Sequence, residues 1–256
     1  MNPMKPTKFL TCAAAVVAIA GCNSKPGDAA TNATAPTASI GPVAAPANGD
    51  WSTVVNQTPA GGFLMGNPQA KVQLIEFGSM TCPHCREFDE QGVQPLIDQY
   101  VKTGKVGYEF RNYVRDPFDL AASLIARCNG AKSFFPLERA LYHDQPNWIG
   151  KLQAVPQAQL EALQSMPANQ QFLEVAKLAG FQDWAAARGV PHAKTAQCLA
   201  DQKAIDQLVQ MTADATTQFP EFQGTPSFVV NGKLFPIKPG TPMWTQLKAE
   251  LDRAGG

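Results

Sequence analysis

The stretch Val72-Gln73-Leu74-Ile75-Glu76-Phe77-Gly78-Ser79-Met80-Thr81-Cys82-Pro83-His84-Cys85 decides how the rest of the chain is read. Val72, Leu74, Ile75 and Phe77 form a nearly continuous apolar run between Asn67-Pro68 and Gly78, the pattern of a strand buried on both faces. Pro83 suits the first position of a helix, where its missing N–H costs nothing, and Phe88, Val93, Leu96, Ile97 and Tyr100 supply later apolar positions. Cys82 then stands at a helix start with Cys85 one turn along. Exposed N–H groups and the helix dipole favour a thiolate at Cys82. His84 can direct hydrogen bonds or positive charge at that sulfur, which stabilises the reduced pair and makes its disulfide a stronger oxidant. Two other readings of the pair are a fixed structural bond and half of a zinc site. A bond across so tight a turn would be strained, and Cys128, Cys198, His143 and His192 lack the paired spacing that would complete a metal site.

Moving outward, Val106, Tyr108 and Phe110 alternate with Gly107, Glu109 and Arg111, which predicts a second strand and completes a βαβ unit. From Asp116 to about Phe219 helical periodicity takes over. Phe172, Val175, Ala176 and Ala179 keep helical spacing, as do Ile205, Leu208 and Val209, with the polar Thr212 closing that series. Phe134, Phe135, Leu137, Leu141 and Trp148 read as the core of this helical part. Strands are predicted again at residues 227–230 and 234–237 around Asn231-Gly232, a hairpin signal because both positions favour φ > 0. Pro236 assigns the second of these to a sheet edge. A last helix over residues 241–254 offers Trp244, Leu247 and Leu251 to the sheet.

The amino terminus sets the compartment. Lys5 and Lys8 precede an apolar, small-residue stretch at 9–20 that is too short to span a bilayer, so it reads as an export signal. Ile19-Ala20-Gly21-Cys22 resembles the lipobox of bacterial lipoproteins, which makes Cys22 the expected site of lipidation and 1–22 the signal; an ordinary cleaved signal is the alternative. Asn23 follows, and in lipoproteins resembling those of enteric bacteria the absence of Asp there implies sorting to the outer membrane. Residues 23–50, rich in Ala, Thr, Pro and Gly, read as a disordered tether with a reach of roughly 30 Å. Lys plus Arg equals Asp plus Glu at 21 each, so no net field favours nucleic acid. Of 6 cysteines, Cys12 leaves with the signal and Cys22 would carry lipid. Cys82, Cys85, Cys128 and Cys198 remain, and sequence alone allows three pairings.

Strand, dithiol, helix, strand, helical insertion, hairpin and helix, in this order, resemble the thioredoxin fold of the DsbA family of thiol-disulfide oxidoreductases over residues 51–256. The resemblance rests on Cys82-Pro83-His84-Cys85 after a buried strand, Gly224-Thr225-Pro226 before the hairpin, and Asn231-Gly232 between the last strands. It implies an α/β thioredoxin-fold core at 51–115 and 219–256 with an inserted α-helical lobe at 116–218. It also implies that Cys82 is the attacking thiol and Cys85 the resolving one. Glu76, on the strand face of Val72 and Leu74, would be a buried proton acceptor beneath them; a carboxylate at a frayed strand end is the alternative. Thr225-Pro226 would be a cis bond against the sulfurs, leaving the Thr225 backbone to pair with an extended substrate; a trans turn proline is the alternative. Cys128 and Cys198 resemble the second, structural disulfide of some alphaproteobacterial members, with two separately buried thiols as the other reading.

The expected activity is that of a periplasmic dithiol oxidase, lipid-anchored to a membrane and acting on exported polypeptides with free thiols. It would need no metal and no cofactor beyond the redox-active disulfide, and a membrane partner would reoxidise it. Thr225 stands where enteric DsbA oxidases carry Val and also resembles the disulfide isomerases. A reductase or isomerase, and a non-catalytic tethered module that binds polypeptide, therefore stay open.

Overall fold

A computed structural model describes Ile40, Gly41 and residues 43–256. The expected signal at 1–22, Cys22 and the first part of the tether lie outside the described residues. The end of the tether is laid on the domain: Pro46 and Gly49 close a turn, and the Ile40 carbonyl accepts from Gln69 Nε2 at 3.2 Å.

A six-stranded sheet carries the fold. Its strands are β1 (Val55–Gln57), β2 (Phe63–Gly66), β3 (Val72–Gly78), β4 (Val106–Asn112), β5 (Ser227–Val230) and β6 (Lys233–Phe235), in the spatial order β1-β2-β4-β3-β5-β6. Among the described strands, only β3 and β4 pair in parallel. A parallel pair needs a crossover, and the helix that begins at Pro83 supplies it. This helix runs as α1 (Pro83–Phe88), a π-helical turn at Asp89–Val93, α2 (Gln94–Leu96) and a second π-helical turn at Ile97–Val101. Pro95 has no N–H to give to the preceding turn, and wider turns lie on either side of it. Phe88, Val93, Leu96, Ile97 and Tyr100 are all buried, as their spacing predicts.

Alternation along the strands makes two faces. Val72, Leu74, Val106, Tyr108, Phe110, Phe228 and Val230 enter the main core beneath the crossover helix, whereas Ile75, Phe77 and Val229 meet Ala215 and Phe219 on the other side. Between β4 and β5 the chain is helical: α3 (Pro117–Arg127), α4 (Ala131–His143), α5 (Gln145–Gln153), α6 (Gln157–Gln164), α7 (Ala168–Ala179), α8 (Phe181–Ala186), α9 (His192–Leu199) and α10 (Gln202–Gln218). Phe134, Phe135, Leu137, Leu141 and Trp148 are buried there, and their core is continuous with that of the sheet. Cys128, at the C-terminal cap of α3, is joined by a disulfide to Cys198 of α9, with Cα atoms 5.6 Å apart. The last helix, α11 (Met243–Ala254), buries Leu247 and Leu251 in the main core.

Three differences from the sequence reading have physical causes. The antiparallel pair β1 and β2 is absent from that reading because each strand is very short, and Phe63-Leu64-Met65 stands between glycines where no alternation can be counted. The hairpin at Asn231 (φ 49°) and Gly232 (φ 80°) turns as its residues demand, but β6 stops at Phe235, so Pro236 lies just beyond the strand. On α10 the buried face is Ile205, Leu208, Met211 and Ala215, and Val209 is 53% exposed. Thr212 sits at the margin of that face, where its hydroxyl accepts from Val114 N at 2.9 Å and donates to Leu208 O.

Candidate active site

The parallel strand β3 ends at Gly78, and the chain turns through Ser79, Met80 and Thr81 into α1, so Cys82 lies beyond the carboxyl end of a central strand. Cys82 has extended backbone angles and forms the N-cap, with Pro83 at the first helical position. This turn is pinned from the helical region. Tyr142 Oη donates to Ser79 O at 3.1 Å, and Gln145 Nε2 donates to both Met80 O (2.7 Å) and Cys82 O (3.1 Å). The Asp119 carboxylate accepts from Ser79 Oγ at 2.6 Å and Met80 N at 2.8 Å.

β5 supplies the opposite wall. Phe77 pairs with Ser227, so Thr225 and Pro226 project past the end of β3 toward the start of α1. The Thr225–Pro226 bond is cis, and the Cys82 thiol donates to Thr225 O at 3.2 Å. An open cleft of about 550 Å³ runs along this wall, lined by Thr225, Pro226, Ser227, Phe235, Pro236 and Ile237 among others.

Cys82 and Cys85 are both free and buried. Their proton affinities are driven apart. Cys82 is lowered to about 5, chiefly by a hydrogen bond from Cys85, opposed by burial and assisted by Thr225, the Cys85 N–H and the positive charge of Arg115. The two Thr225 groups act in opposite senses. Its carbonyl accepts from the thiol and favours the protonated form, whereas its buried hydroxyl, bonded to no other group among the described residues, is left to favour the thiolate. Cys85 is pushed well above the usual thiol range by burial and by its neighbours Cys82 and Glu76. The His84 ring is 72% exposed, with Nδ1 3.4 Å from Glu87 Oε2.

Beneath the dithiol, Glu76 is buried rather than frayed into water and accepts from Tyr108 Oη at 2.6 Å. Burial raises its pKa to about 8 against that hydrogen bond, with the charges of Asp89 and Cys82 adding to the rise. Asp89, one helical turn after Cys85, is raised to about 6 by burial despite its ion pair with Arg139 (Nε to Oδ1 3.1 Å). Glu138 is buried nearby and held well above the carboxylate range by burial and by Asp89 and Glu76. A thiol that ionises early, a thiol that holds its proton and a carboxyl group poised near neutrality can together pass a proton while a disulfide opens or closes.

Residues 58–252 match the family model described as thioredoxin. The chain belongs to the thioredoxin family. Curated relatives include a protein of Rickettsia bellii named "Putative protein-disulfide oxidoreductase", 30% identical over 171 residues that make up 66% of this chain and 57% of that protein. This thioredoxin-family chain thus spans little more than half the length of that relative. Among solved structures, a protein described as a protein-disulfide isomerase from Novosphingobium aromaticivorans aligns with a TM-score of 0.69 at 35% identity, covering 75% of this chain and 97% of the other. Wolbachia pipientis alpha-DsbA1 aligns over 75% of this chain and 89% of its own with a TM-score of 0.57; at 22% identity that likeness shows the fold alone.

Within this thioredoxin-family fold, Cys82, Cys85, Pro83, Glu76, Thr225 and Pro226 come together, and His84 stands at the rim facing Glu87. Cys128 and Cys198 lie apart in the helical region as a closed bond. The sequence reading misses Tyr108, Asp89, Glu138 and Arg139 around the buried carboxyls, and Asp119, Tyr142 and Gln145 on the turn. Two of these leave a trace in the sequence: Tyr108 shares the inward face of β4 with Val106 and Phe110, and Asp89 falls four residues after Cys85 on the same helical face. Among the described residues no group of three or more His, Cys, Asp or Glu side chains could hold a metal ion, and no helix is long and apolar enough to cross a membrane.

Proposed function

We propose that the chain is a thiol-disulfide oxidoreductase of the periplasm, working chiefly as a dithiol oxidase on exported polypeptides. The observation that carries this reading is the asymmetric placement of the pair: Cys82 caps α1 against the cis Thr225–Pro226 wall, whereas Cys85 lies buried one turn on, and this setting lowers the Cys82 thiol to about 5 and raises that of Cys85. Stabilising the Cys82 thiolate stabilises the reduced pair, so the disulfide is the state that gives up its bond.

In the forward reaction a substrate thiolate attacks the Cys82 sulfur. The Cys82–Cys85 bond breaks, its electron pair leaves on Cys85, and Cys85 takes a proton, for which Glu76 is the nearby donor. A second substrate thiolate then attacks the substrate sulfur of the mixed disulfide. Cys82 leaves as a thiolate, which its low proton affinity favours. The substrate gains one disulfide and the pair carries the two electrons away. A membrane protein coupled to a quinone is the proposed acceptor for those electrons, and the export signal with lipidated Cys22 would tether the enzyme to a membrane of the same compartment. Thr225 and Pro226 supply the wall against which an extended substrate would lie.

Oxidised protein mixed with a reduced, unfolded thiol protein should transfer one disulfide per chain. Cys82→Ser should abolish the transfer, and Cys85→Ser, mixed instead with a disulfide-bonded protein, should accumulate a mixed disulfide at Cys82, because its thiolate attacks the substrate bond, one substrate sulfur leaves as a thiolate and no resolving thiol follows. Transfer by the Cys82→Ser variant would exclude the mechanism and make the Cys128–Cys198 bond the donor, whereas binding of the unfolded chain with no transfer by the wild type would favour a binding module. Isomerase action is the second reading, favoured by the likeness to the protein described as a protein-disulfide isomerase. It predicts that the reduced pair restores activity to a scrambled substrate faster than the oxidised pair builds bonds in a reduced one.

A further inference from the structure

Arg115 occupies an exposed position between β4 and α3, yet its guanidinium is fixed. Its Nε donates to Ser79 Oγ at 2.8 Å and its Nη2 to Thr81 Oγ1 at 2.9 Å, so the fork grips two alternate residues of the turn that leads into Cys82. The hydroxyl protons are committed elsewhere, which orients the grip. Ser79 Oγ donates to Asp119 Oδ2 at 2.6 Å and Thr81 Oγ1 to Asp116 Oδ2 at 3.1 Å, leaving each oxygen a lone pair for the arginine. Asp119 also accepts from the Arg115 backbone N–H at 3.0 Å, so one buried carboxylate of α3 holds both ends of the device.

This arrangement spends neutral hydroxyls rather than a carboxylate on the guanidinium. None of the ion pairs among the described residues includes Arg115. An arginine serving only to anchor the turn would be best held by direct contact with Asp116 or Asp119. Spaced from both by one hydroxyl, it keeps its charge available to the next residue along, which is Cys82.

We propose that Arg115 is a positioning residue for the dithiol: aimed by Asp119 through Ser79, it fixes the turn before Cys82 and adds a cation on that side of the Cys82 sulfur, supplementing Cys85 in making that thiol the attacking and leaving one. The favourable pull of Arg115 on the Cys82 thiolate agrees with this placement. The proposal rests on the oxidoreductase reading for its purpose, but its test does not.

The test is titration of the Cys82 thiolate by its ultraviolet absorbance in the reduced protein, against Arg115→Gln and Arg115→Lys. Because Arg115 is exposed, both variants should fold, and melting curves will report whether they do. Arg115→Gln should lower the ionisation constant of Cys82 by roughly threefold, and so the thiolate fraction near pH 5 by roughly twofold, the effect of losing one screened charge. Arg115→Lys, which keeps the charge and loses the fork, should recover part of it. Added salt should lower the thiolate fraction in the wild type more than in Arg115→Gln. A purely structural anchor would change melting and leave the titration alone. Coincident titration curves for wild type and Arg115→Gln, or an equal salt response in both, would overturn the proposal. Glutathione exchange in the same samples separates the two ideas: a wild-type pair that does not exchange removes the oxidoreductase reading, whereas the titration decides the role of Arg115.

Discussion

Glu76 shows how much one residue can tie stability to pH. Its carboxyl is raised in the folded chain to about 8, first by burial, while in an unfolded chain it titrates in the ordinary range. A raised carboxyl binds its proton more tightly when folded, so its contribution is fully present below the unfolded value and is lost as pH climbs through the folded one. Stability should therefore fall from about pH 5 to about pH 8, by at most roughly 1.4 kcal/mol per pH unit from this group. Asp89 and Asp119, raised to about 6 and about 7, slope the same way. Denaturant melts of the oxidised protein, in which Cys82 does not titrate, should show this slope, and Glu76→Gln should flatten it. Parallel wild-type and variant curves would mean that Glu76 is not buried with its proton. The sequence exposes Glu76 because a carboxylate among Val72, Leu74 and Phe77 has nowhere polar to go. The orientation of His84 is not legible in the same way, since spacing along a helix does not say which neighbour a rim side chain will face; here it is Glu87. Nor are Glu138 and Arg139, whose relation to Glu76 exists only once α4 is packed over α1.

At the scale of elements, the strongest sequence signals are those with a local cause. β3 and β4 follow from apolar patterning, α1 from Pro83, and the β5–β6 hairpin from Asn231-Gly232. β1 and β2 have no such cause and exist because β4 offers an edge: Phe63 pairs with Phe110 and stacks on Phe134, whose rings lie 4.2 Å apart. The Cys128–Cys198 bond is likewise a matter of packing, since α3 must lie against α9 before the two sulfurs can meet. It closes a loop of 70 residues, which in the chain-entropy account stabilises the fold by about 4 kcal/mol. Replacing both cysteines by Ala should cost stability of that order in denaturant melts. A variant as stable as the wild type would show that the packing of α3, α7 and α9 already fixes the lobe.

Across the whole molecule, the helical insertion does more than enlarge the core. Tyr142 and Gln145 hold the carbonyls of the turn before α1, and Asp119 holds its donors. The sheet contributes the other wall, because the β3–β5 register carries Thr225 and Pro226 past Gly78. Neither half alone makes the site. The sequence identifies both halves, since the dithiol motif and Gly224-Thr225-Pro226 are local patterns, but the lobe's grip on the turn depends on contacts across more than sixty residues and leaves no local trace. The joint product is a pair of thiols with opposed proton affinities, and from it comes the central claim that the reduced state is the favoured one. Equilibration of Cys82 and Cys85 with glutathione tests this most directly. The account predicts an oxidising couple, above the roughly −180 mV of a protein disulfide isomerase and toward the roughly −120 mV of a strong oxidant; a couple near the roughly −270 mV of a reductant would contradict it.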